Sequence, residues 1–429
     1  MRSAAPFQLL AQEAQALLSR IGRLRPFALR IQSVAAAAIS PAALRAIELD
    51  VDASRRELAR RAVGFLRWLA DARERGETAE AAQRRLTVLR LRFNATLNEI
   101  DLFDDALLQR SEHELGTWLG GLDAVAQDAL ELDGAPFTLP PLLCYVDRGL
   151  GGAVRRARTR LPGGRPNPVT VIRVPRERLI GSGIASSLVH EAGHQGAALL
   201  SLVRSLRPVI RAFAATPSAR AAWRLWDRWI SEIVADLWAV ARVGIAAPLG
   251  LLAVVSLPRP FVFRLNADDP HPMPYIRVQL SCALGDALYP HPQWQALSES
   301  WKELYPARDL RPEVMDALGA LEESLPALSA LLVHHRPRSL GGVSLAGALA
   351  SADRTPERLD ALWAGRARAL RMAPPTIALA AIGQARARGL VSATRETELV
   401  SGLLSSWALR RALQPARRPA VTVYAAEAH

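Results

Sequence analysis

Lysine and cysteine are the residues this chain has least of. Only Cys144 and Cys282 occur in 429 residues, so no framework of disulfides can carry the fold, and neither stands in a CxxC pair or at a metal-ligand spacing. A reducing compartment, the cytoplasm, is the expectation. Lys302 is the single lysine, although the formal net charge is +13. The other basic residues are arginines, dispersed among Ala, Leu and Glu along helical stretches such as residues 55–75, and dispersed arginines read as solvated helix faces. A concentrated basic stripe with interleaved aromatics is missing, so nucleic acid is not expected as a partner. The densest cluster is Arg155, Arg156, Arg158 and Arg160, the best place for an anionic contact.

Long apolar runs are missing too. Gln8, Gln12, Glu13 and Gln15 interrupt residues 1–22, which read as an amphipathic helix and not as the apolar segment of a signal peptide. Residues 243–257 are almost wholly apolar but carry Pro248 and Gly250. They fall short of the roughly 20 residues needed to cross a bilayer, so a buried helix or helical hairpin is expected there and membrane-surface contact is not favoured.

What is present is helical periodicity. Val51, Leu58, Ala62, Phe65 and Leu69, then Leu86, Leu89, Phe93, Leu97 and Ile100, recur mostly at three- and four-residue steps, which gathers them on one face of a helix. Residues 1–132 therefore read as a helical N-terminal domain. Asp133-Gly134 and the prolines at 136, 140 and 141 break this texture, and short β-like runs follow at 142–146 and 169–174, with a Pro162-Gly163-Gly164 turn between them. Helix returns from Gly181. A further helix is expected from about Thr216, with Pro217 in its first turn, to Gly244. Its Trp223, Trp226, Trp229 and Trp238 read as core packing. Residues 296–429 read as a helical C-terminal region whose last 15 or so residues form a loose tail.

Residues 186–195 read SSLVHEAGHQ. Within a helix, His190 and His194 lie four apart on one face and can reach a single zinc ion. Glu191 stands beside the first ligand, placed to act as general base toward a water acidified by the metal and then to pass the proton to a leaving amine. Catalytic zinc sites take three protein ligands. Ala197 and Leu200, three and six residues beyond His194, exclude the metzincin arrangement. Glu232 and Asp236 form an ExxxD pair amid Trp229, Ile233, Val234 and Leu237, where two acids are costly to bury without a cation. Glu232 is thus the expected third ligand, and Asp236 the expected acceptor for the far ring nitrogen of a zinc histidine.

HExxH followed by ExxxD on a later helix resembles the gluzincin metallopeptidases. The segment Asp269-Pro270-His271-Pro272 with Arg277 is similar to the His-Pro segment, followed by Arg six residues after the His, of the HtpX-like and CaaX-prenyl-protease-like zinc endopeptidases. The resemblance covers roughly residues 168–280. It implies that His271 and Arg277 stand near the metal and steady the oxyanion. It implies a mainly α (α+β) fold, in which a zincin-like core with a small β-sheet beside the active-site helix, residues 133–295, lies between the two helical regions. It also implies that residues 169–174 form an edge strand along the cleft, able to pair with an extended peptide. Two features depart from the pattern: no membrane-spanning helices are evident, and 37 residues (195–231) separate His194 from Glu232. The expectation is a zinc metallopeptidase with one Zn2+ and a peptide or protein substrate. The alternative is a catalytically inactive, metal-stabilised helical scaffold, which would have no use for Glu191.

Overall fold

The computed structural model describes residues 4–29, 32–134, 137–148, 152–161, 164–179, 181–216, 219–266 and 268–413. The fold is mainly helical with one small mixed sheet. The expected tail, Pro162-Gly163 and Pro217 lie outside the described residues.

Four helices lead the chain: α1 (Ala5–Gly22), α2 (Pro41–Ala72), α3 (Ala79–Leu108) and α4 (His113–Leu130). Capping sets the starts of the two long ones. The Ser40 hydroxyl accepts from the Ala43 amide and the Thr78 hydroxyl from the Ala81 amide, each at 3.1 Å, filling donors that a helix leaves unpaired at its first turn. Leu10, Leu17, Leu58, Phe65, Leu86 and Phe93 close a core of their own between α1, α2 and α3. The predicted apolar stripes supply it.

The sheet comprises β1 (Leu142–Asp147), β2 (Ala153–Arg155) and β3 (Thr170–Pro175) in the order β1-β3-β2. β1 runs parallel to β3 and β2 antiparallel to it. Alternation of side chains along a strand gives the sheet two apolar faces. Leu143 and Val171 meet Ile47, Ile100 and Phe103 of α2 and α3, whereas Cys144, Val146, Ile172 and Val174 face the main core. Residues 169–174 are therefore not an edge strand as the sequence suggested, because β3 is paired on both sides. The edge beside the helix that carries His190 and His194 is β2, a run of three residues too short to register as a strand by pattern.

The helices that follow are α5 (Ser182–Leu199), α6 (Leu202–Phe213), α7 (Arg220–Val243), α8 (Ala246–Val255), α9 (Arg259–Val262), α10 (Pro274–Leu288) and α11 (Gln293–Leu304). The chain continues through α12 (Pro312–His334), α13 (Leu345–Leu349), α14 (Pro356–Ala364), α15 (Arg366–Met372), α16 (Pro375–Ala387) and α17 (Ala393–Leu413). The main core runs from Leu119 of α4 to Trp407 of α17, so the last helices share it with α5 and α7. The tryptophans of α7 are buried in it, with Trp238 donating to the Ala129 carbonyl and Trp226 to the Ser324 hydroxyl. The apolar stretch after Val243 is the ten-residue α8, packed against α5. Among the described residues no helix is long and apolar enough to cross a membrane.

A buried ion pair ties these layers together. Arg110, 2% exposed, donates to both oxygens of Asp123, at 2.9 and 3.0 Å, and to the Cys144 carbonyl of β1. Arg411 of α17 adds a second guanidinium to Asp123 at 2.8 Å. Asp123→Ala would leave Arg110 buried without its anion. It is expected to cost about 3–5 kcal/mol, read as a lower urea midpoint with an unchanged slope. Burial pushes the Asp123 carboxyl up, but the two guanidiniums outweigh it and hold the group below its ordinary value. Its contribution is therefore present above pH 3.8 and disappears as pH falls through the lowered folded value. The Ala variant should lack that acid limb.

Candidate metal centre

α5 begins at Gly181, whose φ of 89° favours a residue without Cβ. It carries His190, Glu191 and His194 at its centre, all intermediate or buried. The two imidazoles lie 4.8 Å apart between centroids, nearly perpendicular at 88°.

α7 crosses α5 at close range because α5 has glycine where the two meet. A Cβ added to Gly193 would stand 2.8 Å from the Trp238 Cβ and 3.0 Å from the Ala235 carbonyl, and one added to Gly196 would stand 2.4 Å from the Trp238 ring. This contact brings Glu232 to the histidines. Its Oε2 lies 3.3 Å from His190 Nε2 and its Oε1 lies 3.3 Å from His194 Nε2. One donor atom from each of the three residues falls within 4.8 Å of the others.

Behind this set runs a chain of hydrogen bonds. His190 Nδ1 lies 2.8 Å from Asp236 Oδ1, one turn along α7 from Glu232. Arg277 of α10 donates to both oxygens of Asp236, at 2.7 and 2.9 Å. With Nδ1 carrying the proton shared with Asp236, the neutral His190 ring presents the Nε2 lone pair toward Glu232 and His194. His271 approaches from the other side, its Nε2 3.5 Å from Glu232 Oε2, and Asp269 accepts from its Nδ1 at 2.8 Å and from its backbone amide at 3.0 Å. All seven residues singled out from the sequence thus meet in one place. Arg277 gives its closest contacts to Asp236, while its guanidinium stands 3.8 Å from Glu232.

Three buried carboxylates, Glu191, Glu232 and Asp236, face one guanidinium, Arg277. That leaves two negative charges without a fixed counter-charge. His190 responds: burial opposes charge on its ring, but the Asp236 carboxylate overcomes it and, with Glu232, raises the ring to about 9. Burial likewise pushes Glu232 up, and its hydrogen bonds and charge interactions with His190 and His194 carry it well below the carboxylate range instead. Asp236 is lowered to about 2, since the Arg277 and His190 charges outweigh its burial. Glu191 moves the other way. Burial raises it despite the neighbouring histidines, as suits a base that must hold a proton in transit. Two imidazole nitrogens and a carboxylate are a zinc donor set, and a divalent ion supplies the charge that this pocket is missing.

A cavity of about 130 Å³ opens beside this point. Gly152, at the start of β2, sits so close to Glu191 that an added Cβ would lie 2.8 Å from its Oε1. Val240, Ala247, Leu251 and Val254 form an apolar wall. The remaining described histidines stay apart from the cluster; His335 pairs with the Ser205 hydroxyl and His291 accepts from the Gln293 amide.

Gly193, Gly196, Gly152 and Asp269 were not singled out from the sequence. The two α5 glycines had a readable signal, small residues three apart on a helix that must approach another closely; Gly152 had none, because its partner is distant in sequence. Comparison with protein-family models, with curated proteins and with solved structures returned no match.

Gly196→Ala is expected to push α7 away from α5; with zinc as the proposed occupant, its affinity should fall by about tenfold or more, measured by competition with a chromophoric chelator. Gly402→Ala is the control, since nothing lies within 4 Å of its added Cβ, and its zinc affinity should match that of the unchanged chain.

Proposed function

We propose that this chain is a zinc-dependent peptidase of the gluzincin type, in which His190, His194 and Glu232 hold one zinc ion and Glu191 is the general base. The observation that carries this reading is the convergence of two imidazole Nε2 atoms and one carboxylate within 4.8 Å, beside a recess into which a further carboxylate projects. A structural site would close with a fourth protein ligand. Here the open side holds Glu191 instead.

When bound, zinc would supply Lewis acidity toward a carbonyl and toward water. The chain's own residues supply the rest. Glu191, buried and raised above its ordinary value, takes a proton from water and delivers it to the departing amine. Asp236 fixes the His190 tautomer, and Arg277 fixes Asp236 by two hydrogen bonds. His271, held at Nδ1 by Asp269, directs Nε2 toward the same point, beside the oxygen that gains charge. The edge of β2, unpaired on its outer side among the described residues, begins next to Gly152, which lines the recess, and can pair with an extended peptide. Both cysteines are buried and free, which suits a reducing compartment such as the cytoplasm.

Glu191→Gln should keep one zinc per chain, read by plasma emission spectroscopy, and lower the turnover of a quenched-fluorescent peptide library by roughly 10²–10⁴. His190→Ala and Glu232→Ala should lose the metal. Full turnover by Glu191→Gln would remove Glu191 from the chemistry.

A further inference from the structure

A second concavity, of about 560 Å³, opens beside His194. Arg204 and Arg207 of α6 line it together with Arg211, one turn further on, and Arg156 faces them from the loop that follows β2. None of its lining residues is acidic. Among the described residues, the one carboxylate in contact with these arginines is Asp227 of α7, 2.8 Å from Arg211 and 3.5 Å from Arg207. Arg204 bonds only to the Ser201 hydroxyl, at 3.4 Å, and Arg156 has no carboxylate partner among the described residues. Four guanidiniums therefore share one anion in a groove that ends at a zinc-ligand histidine.

The groove is built, not incidental. Gln195, next to His194 and 1% exposed, accepts from the Ala157 amide at 3.0 Å and from the Thr170 hydroxyl at 3.1 Å, which pins the Arg156 loop to α5 and β3. Asn167, equally buried, donates to the carbonyls of Arg155 and Arg156. Arg158 is held at a φ of 66°, a left-handed conformation unusual for a residue with a Cβ, and its amide donates to the Asn167 carbonyl at 2.8 Å. Arg156, from the densest arginine cluster in the sequence, is thereby held in the groove beside His194.

We infer that this groove selects the substrate, binding acidic side chains of a peptide next to the bond that is cleaved. The inference rests on the peptidase reading and adds its specificity. Guanidiniums pair with carboxylates through two parallel hydrogen bonds, and those without an anion in the free chain have donors to spend on a ligand. A nucleic acid is the weaker match, because no Phe, Tyr or Trp ring lines the groove to stack a base. The recess on the Glu191 side has apolar walls, so the two sides of the metal centre ask for different residues and set the direction in which a peptide lies.

Three fluorescein-labelled decapeptides of one Ala-Leu background, carrying a central Glu, Gln or Lys pair, supply the test. Fluorescence anisotropy with the Glu191→Gln chain reads binding without turnover, and cleavage by the unchanged chain is read in parallel. The Glu peptide should bind at least about tenfold more tightly than the Lys peptide, with the gap narrowing at high salt, and the double variant Arg156→Glu/Arg204→Glu should reverse the order. Equal affinities for the three peptides, an order that survives the double reversal, or displacement of the Glu peptide by an oligothymidylate at a lower concentration than by unlabelled peptide would each overturn the inference. Cleavage of all three peptides at one rate would also overturn it while leaving the peptidase reading intact. Charge-ordered binding with no cleavage would do the opposite.

Discussion

Everything at the centre of this protein depends on an uncompensated charge. Burying a carboxylate is expensive unless a cation meets it, yet Glu191, Glu232 and Asp236 are buried together, and among the described residues Arg277 is the one guanidinium ion-paired to them. The imidazole of His190 absorbs part of the difference. The strong upward displacement of His190 and the downward displacement of Glu232 are two expressions of that deficit. A divalent ion held there would relieve it, and metal affinity and proton release would then be linked. Such a site resembles a spring held under electrostatic load, and the packing around it must resist.

That resistance is built from the outside inward. Glycines at the crossing of α5 and α7 let Trp238 pack against the α5 backbone, so the distance between the histidines and Glu232 is set by a large, fully buried ring and not by loops. Arg277 then limits the motion of Asp236, and Asp236 that of His190. Farther out, the Arg110-Asp123-Arg411 cluster binds the sheet, α4 and α17 into one unit. Sites placed on rigid elements with supported ligands hold their geometry more closely than sites on loops.

Much of this was legible in the residues. The helical stripes of the first hundred residues and the tryptophan face of α7 follow from periodicity, because burial of one helix face is a local rule. The His190-His194-Glu232 cluster was legible for a related reason: His190 and His194 share a face by helix geometry, and acids at Glu232 and Asp236 are conspicuous in an apolar run. Strand order was not legible. β3 reads as an isolated apolar run, and its central position is decided by β2, whose three residues carry no pattern of their own. Nor could residue spacing show that Arg277 would grip Asp236, that Asp269 would hold His271, or that Gln195 would fold the arginine loop against α5. Those contacts join segments far apart in sequence or depend on a turn, and they come into being only with the tertiary fold.

The most direct measurement is zinc K-edge X-ray absorption on the chain loaded with one equivalent of zinc. The account predicts a first shell of nitrogen and oxygen at about 2.0–2.1 Å with the outer scattering of two imidazoles and no sulfur, and loss of that spectrum in Glu232→Ala. Failure to retain zinc, a sulfur shell, or a spectrum unchanged by Glu232→Ala would contradict it.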